Sequence, residues 1–454
     1  MPVREEGRGR GSEAVGVGRV VAFLVVLLPG LPRVAAHRSG GNVADEAERN
    51  AGENKGENKG LGEHGCLRWV TGGRLNPTVA ETFADAPEND CEAAHAARIF
   101  TRTAVEPRKT AHPAARAVYF RALDPLILRL HMSAMRDYRP PWWLPGGQLQ
   151  TIWPALTSRP PAKSLGYARE RWRAPDGDFI DVDHLPAAAG APWLVLFHGL
   201  ESCSTSLYAV AFAQAAAARG WHFVVPHFRG CSGELNLAPR SYHSGDYDEI
   251  GWVLGRIRAT AGAPVLAAGV SLGGNALLRW AEEAANTAAA TVRAVAAICA
   301  PLDLAAAAAA IDSGLSRLIY GRMFLRTLKA RALRKWEQYP GLFDRERLIA
   351  AHTFREFDEY FTAPLHGFAN AEDYWHRASS KPHLGAIRVP TLVLNARNDP
   401  LIPGASLPHP HEVGAHVTLW QPDHGGHVGF VTGAWPGHVQ AMPNAACDWL
   451  AAAG

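Results

Sequence analysis

From residue 167 onward, short apolar runs alternate with longer segments whose apolar residues recur at helical spacing. Residues 167–173 and 179–184 flank Pro175-Asp176-Gly177, which predicts an antiparallel hairpin. Residues 193–198 read as a buried strand, followed by a helix over 208–218. The next strand and helix fall at 221–226 and 247–257. Residues 263–269 form a further apolar run, and the stretch from Gly274 is rich in helix formers. Strands at 292–299, 391–395 and 416–420 follow, and a helix near 442–452 closes the chain. Near-continuous apolar strands alternating with helices imply a mostly parallel sheet covered on both faces, an α/β architecture.

Two regions break the pattern. Between Pro301 and Pro390 lie helical-looking stretches at 302–311, which holds six consecutive alanines, 317–336 and 343–360. That is too long for one crossover. Its place in the chain predicts a lid insertion over about 302–385, the alternative being extra helices on the sheet edge. The other region is the N-terminus. Arg4, Arg8, Arg10 and Arg19 precede an apolar run at 20–28, with Val34-Ala35-Ala36 after it, which resembles a secretory signal. Yet no methionine follows Met1 until Met132 and Met135, and residues 37–131 lack periodicity and carry the repeat GENKGENKG. We therefore expect residues 1–131 to be an extension, with translation starting near Met132 or Met135 and a cytoplasmic α/β domain at 132–454. Export or membrane anchoring is the alternative if the 20–28 run acts as a signal.

Composition narrows this little. A net charge of +3 over 454 residues gives no reason to expect a nucleic-acid partner. Six cysteines do not make a disulfide framework in so long a chain, and Cys203, Cys231, Cys299 and Cys447 read as small buried hydrophobes. No stretch reaches the roughly 20 apolar residues that span a bilayer. Oligomeric state is not legible.

The chemistry enters with Gly269-Val270-Ser271-Leu272-Gly273, a G-x-S-x-G sequence between a predicted strand and helix. A serine on that sharp turn is a nucleophile elbow, with the helix N-terminus aimed at the reaction. The bland reading is a glycine-rich turn. A serine needs a base, and the base needs an acid. In an α/β sheet both belong on loops beyond strand C-terminal ends. Asp399 follows the strand at 391–395 and is the expected acid, with Asp423 as runner-up. His427, approached through Gly425-Gly426, is the expected base in competition with His424. The chain order Ser271, Asp399, His427 is that of the α/β-hydrolase fold. The oxyanion donors should be the N–H groups of Leu272 and of Leu200, in the turn His198-Gly199-Leu200-Glu201. His198 would shape that turn; Glu201 is given no firm role, its bland reading being surface charge. His411 and His416 lie one residue too far apart for the H-E-x-x-H zinc pattern, and Pro408 and Pro410 disfavour a helix there. Neither a P-loop nor a dinucleotide fingerprint accompanies the sheet, so we expect no metal and no cofactor.

Several separated blocks together resemble the AB hydrolase 4 family, the YheT-like esterases. They are residues 140–153 (PPWWLPGGQLQTIW), 197–201 (FHGLE), 229–234 (RGCSGE), 242–245 (YHSG), 269–275, 362–368 (TAPLHGF) and 424–430 (HGGHVGF). The resemblance implies an eight-stranded α/β-hydrolase fold with Ser271, Asp399 and His427 as its triad. It implies hydrolysis of carboxylic esters, from short-chain esters to monoacylglycerols or phospholipids, and leaves peripheral membrane contact open. Ser202-Cys203 departs from the small pair frequent in relatives, which bears on substrate size. Trp142-Trp143 and the apolar faces of residues 315–328 are candidates for an acyl pocket or for core. An acyltransferase would use the same residues, and a catalytically silent binding module is a lesser alternative.

Overall fold

The valine-, leucine- and alanine-rich runs build the centre of an eight-stranded sheet in order β1-β2-β4-β3-β5-β6-β7-β8. The computed structural model describes residues 135–157 and 165–453, so the extension predicted for 1–131 lies outside the described residues. The strands are β1 (Ala168–Arg173), β2 (Phe179–Leu185), β3 (Trp193–Phe197), β4 (His222–Pro226), β5 (Val265–Val270), β6 (Ala294–Ile298), β7 (Thr391–Leu394) and β8 (Val417–Trp420). The predicted hairpin forms: β1 pairs antiparallel with β2, and β2 antiparallel with β4. All other neighbours are parallel.

Helices α1 (Gly147–Thr157), α2 (Leu207–Ala218), α3 (Tyr247–Thr260), α4 (Leu272–Ala284) and α8 (Ala441–Ala453) surround the sheet. Side chains alternate across a strand. Val195, Ala267, Val295 and Val393 therefore share one face, where they pack with Leu254, Ile257, Leu277 and Trp280 of α3 and α4. Burying each of the valine, leucine and isoleucine side chains among them is worth about 1.5–3 kcal/mol. The small residues Ala267 and Ala297 let α4 approach closely. Helices α2 and α8 pack on each other and touch β4 and β6.

Register fixes where chemistry can occur. Phe197 pairs with Gly269, Ile298 with Val270 and Leu394, and Leu394 with Trp420. The C-terminal ends of β3, β5, β6, β7 and β8 are thus level, and the loops beginning at His198, Ser271, Cys299, Asn395 and Gln421 emerge along one edge.

The segment between β6 and β7 carries α5 (Leu304–Ile311), α6 (Arg322–Gln338) and α7 (Ala371–Ala378). They gather an apolar cluster of their own, including Leu325, Leu328, Phe357, Phe361 and Trp375. Here the expectation from periodicity is corrected. The stretch expected at 343–360 is broken at 351–353: one helix covers Arg345–Ala350, and a second starts at Phe354 and runs on through a π-turn at Asp358–Thr362 to His366. Asp344 accepts from the N–H groups of Glu346 and Arg347, and Thr353 from that of Glu356, so each starts a new helix.

Candidate active site

Ser271 sits between β5 and α4 with φ of 54° and ψ of −124°, a strained conformation for a non-glycine residue that costs on the order of 1–3 kcal/mol. Its surroundings impose it. The Ser271 N–H donates to the Ile298 carbonyl at 2.8 Å. The flanking glycines leave no room for a side chain. A Cβ at Gly273 would lie 2.4 and 2.5 Å from the carbonyl oxygens of His198 and Phe197, and one at Gly269 2.4 Å from that of Gly273. The elbow expected from the pentapeptide is therefore the observed backbone.

His427 lies in the loop after β8. Its Nε2 is 3.1 Å from Ser271 Oγ, and its Nδ1 is 2.8 Å from Asp399 Oδ2. Asp399 is buried, and its other oxygen accepts the Leu401 N–H at 2.8 Å. An ionised carboxylate only accepts, so Nδ1 carries the imidazole proton and Nε2 offers a lone pair to the serine hydroxyl. The competitors lie elsewhere. His424 is exposed and contacts Asn398, while Asp423 is exposed beside Arg397.

The histidine loop is gripped from the far end of the chain. Gly425 N–H donates to Gln150 Oε1 at 2.9 Å, and His427 N–H to Thr151 Oγ1 at 2.8 Å. Asn398 Oδ1 accepts from Gly426 N–H, and Cys299 Sγ from Val428 N–H at 3.3 Å. Sequence reasoning assigned no role to Gln150, Thr151 or Asn398. The signal available was the block at 140–153, whose polar residues stand out in an otherwise apolar helix.

Beside Ser271 runs the turn after β3. His198 is wholly buried, and burial together with His227 pushes it down to about 3. It is held by Gly199 O at 2.8 Å and accepts the Phe228 N–H, so it shapes the turn as expected. The hydroxyl of Tyr208 accepts the Gly199 N–H and donates to Ser202 Oγ. Leu200 and Leu272 both border the cavity with Ser271 and His427, and among the described residues their N–H groups have no hydrogen-bond partner.

Glu201, left without a firm role by the sequence, is not surface charge. Its side chain is 8% exposed, Oε2 meets Arg331 of α6 at 3.1 Å, and Oε1 accepts the Tyr242 hydroxyl at 2.8 Å. Its own N–H donates back to that hydroxyl at 3.0 Å, fixing φ at 55°. Arg331 also donates to Cys231 Sγ at 2.8 Å. Cys203 and Cys231 are only half-buried and polar-bonded, which corrects their reading as core hydrophobes.

These elements surround a cavity of about 1020 Å³, part of it open to solvent, floored by Ser271 and walled by the 302–385 segment. Phe324, Leu328, Phe354, Phe357 and Phe361 make its wall apolar. Asp358 is a polar exception, as are Arg331 and Thr362: burial raises the Asp358 carboxyl to about 6, though Thr362 Oγ1 and Trp375 Nε1 both donate to it. Trp142 and Trp143 do not reach this cavity. Trp142 is 93% exposed and Trp143 stacks edge-on against Trp153 and Trp435. Of the 315–328 stretch, Phe324 and Leu328 line the cavity while Leu315 and Leu318 face outward.

Metal-ligating residue types also meet here: Cys299, Asp399 and His427 bring ligand atoms within 4.8 Å of one another. Burial pushes the Cys299 thiol up, so its sulfur stays protonated, and the other two already hold each other and Ser271. His409 and His411 stack on each other beside a short turn at Pro410–Glu412, away from any such group.

The sequence profile of the alpha/beta hydrolase fold matches residues 192–434. A protein of Escherichia coli (strain K12) named "Putative esterase YheT" is 39% identical over 308 residues, 66% of this chain and 89% of that protein. Phospholipase ABHD3 of Homo sapiens is 28% identical over 310 residues, 66% of this chain and 75% of that protein. Monoacylglycerol lipase of Saccharomyces cerevisiae is 27% identical over 285 residues, 60% of this chain and 61% of that protein.

Proposed function

The chain belongs to the α/β-hydrolase fold family, and from that premise we propose that it is a serine hydrolase of carboxylic esters. The observation that carries this reading is the relay Asp399–His427–Ser271, at 2.8 and 3.1 Å, opening into an apolar cavity. Ser271 Oγ attacks the ester carbonyl while His427 Nε2 takes the hydroxyl proton. Asp399 keeps the imidazole in the correct tautomer and stabilises the imidazolium. The developing oxyanion is met by the N–H groups of Leu200 and Leu272, which have no other partner among the described residues and cost no reorganisation. His427 then protonates the leaving alcohol. Water, activated by the same imidazole, releases the acid from the acyl-enzyme and returns the proton to Ser271.

The phenylalanine-rich wall suits an acyl chain, and the relatives named esterase, phospholipase and monoacylglycerol lipase favour small esters or lipids as substrates. The 302–385 segment acts as the lid and pocket wall. The test is labelling of the full chain with a fluorophosphonate, followed by turnover of p-nitrophenyl esters from acetate to palmitate. Ser271 should carry the label and longer acyl chains should lower KM. Labelling that persists in Ser271→Ala would overturn the assignment.

A further inference from the structure

Helix α6 shows the cavity one face and solvent another. Leu325, Leu328 and Ala332 are buried, while Phe324 and Arg331 reach the cavity. The outward side begins with Leu315 and Leu318 on the helical turns over 314–321 that lead into α6, the second of them a π-turn, and continues through Arg322, Arg326 and Ala330, with Met323 beside it. All six are exposed, and Ile349 adds another exposed aliphatic side chain nearby, its carbonyl accepting from Lys329 Nζ. Between residues 314 and 338 the chain carries seven Lys and Arg against one Glu. Among the described residues Arg322, Arg326 and Arg334 make no ion pair, and a shallow groove bordered by Arg317, Arg322, Arg326 and Lys329 has no carboxylate in its lining. The nearest acids are committed elsewhere. Asp312 accepts the N–H groups of Phe354 and Arg355, and Glu356 those of His352 and Thr353.

We propose that this outward face docks on an anionic lipid surface, with Arg317, Arg322 and Arg326 meeting headgroup phosphates while Leu315, Leu318 and Met323 enter the interface. A helix with cations and exposed aliphatic residues on one side lies in such an interface, and each basic residue near an anionic surface adds attraction. The aliphatic residues argue against a nucleic acid, whose phosphates would give them no burial. Position supplies the rest: the other side of α6 walls the cavity that holds Ser271, so docking brings one wall of the site against the phase where lipid esters reside. The substrate part of this inference rests on the ester-hydrolase reading, whereas the docking itself does not.

The test is co-sedimentation of the full chain with vesicles of pure phosphatidylcholine and of equal parts phosphatidylcholine and phosphatidylglycerol. Binding is expected on the anionic vesicles and should weaken with salt. Arg322→Gln/Arg326→Gln should lower the partition coefficient about 30-fold, the effect of two charges near the surface. Leu318→Ser/Met323→Ser should weaken it as well. Both variants should keep wild-type turnover of p-nitrophenyl acetate in solution, which shows that they fold. Equal partitioning of wild type and the arginine variant overturns the proposal. So does a dimer in solution that the same substitutions dissolve without any vesicle binding. Vesicle binding by a chain that turns over no ester leaves docking standing and removes the ester-hydrolase reading instead.

Discussion

Gly273→Ala puts the elbow geometry to a direct test. The new methyl carbon would stand 2.4 Å from His198 O, 2.5 Å from Phe197 O and 2.7 Å from Phe197 C. These are backbone atoms at the end of β3, where pairing of Phe197 with Gly269 holds the strand in place. Restoring ordinary contact at 3.4 Å requires α4 and β3 to separate by about 1 Å, and overpacking of this kind costs roughly 1–3 kcal/mol. The displacement acts on the site itself, because Ser271 and Leu272 ride on α4 while Leu200 rides on β3. A misplacement of about 1 Å lowers turnover on the order of 100-fold. The assay is kcat/KM on p-nitrophenyl butyrate beside the rate of fluorophosphonate labelling, with thermal unfolding measured on the same preparation. Gly255→Ala is the control. It adds the same methyl in α3 with nothing within 4 Å and should leave turnover untouched while stabilising by about 0.5–1 kcal/mol. A Gly273→Ala enzyme that keeps wild-type turnover and melting temperature would refute the reasoning.

Replacing His427 with Ala should cost about a million-fold in kcat and Asp399→Asn about ten-thousand-fold. His424→Ala and Asp423→Asn should leave kcat unchanged; a collapse in either would move the base or acid to that residue. Asp358, raised to about 6 by burial, binds its proton more tightly folded than unfolded. Its contribution to stability is therefore full below about pH 4 and lost as pH rises through about 6, a loss of about 3 kcal/mol. Urea unfolding of wild type and Asp358→Asn across that window should show the slope in the first and its loss in the second. Finally, a double-mutant cycle over Glu201→Gln and Arg331→Met should give a coupling energy of about 0.5–3 kcal/mol in unfolding. Additive losses would mean that the pair does not hold α6 to the turn after β3.

Strands β2 to β8 and helices α2, α3, α4 and α8 were legible because each is a short apolar run or a helical period bounded by turn residues, whereas the polar β1 was legible from the Pro175-Asp176-Gly177 turn and α1 was not legible as a helix. The elbow was legible for the same reason: strand, glycine-flanked serine and helix follow one another within the span that a single motif covers. What escaped was contact between distant segments. Glu201 looks like surface charge until Arg331, on a helix with no fixed place in the pattern, closes over it. Gln150 and Thr151 carry no local mark of a partner more than 270 residues away. Periodicity at 343–360 misled because Thr353 caps a new helix after a break at 351–353 that leaves the apolar spacing intact.

The hydrogen bonds from the histidine loop to Gln150 and Thr151 tie residues 425 and 427 to a segment more than 270 residues earlier in the chain. Closure entropy grows only slowly with length, yet a loop this long still sits among the costliest closures in the chain. Sheet, elbow and Asp399 can all come together before it closes. Until α1 docks, the loop that carries His427 lacks the two hydrogen bonds that seat its backbone. The same contact sets a boundary for dissection. A fragment beginning at Met135 keeps the clasp, whereas one beginning after Thr151 would hold every residue of the relay and lack the means to aim it. Supplying residues 135–157 as a separate peptide should then switch such a fragment on.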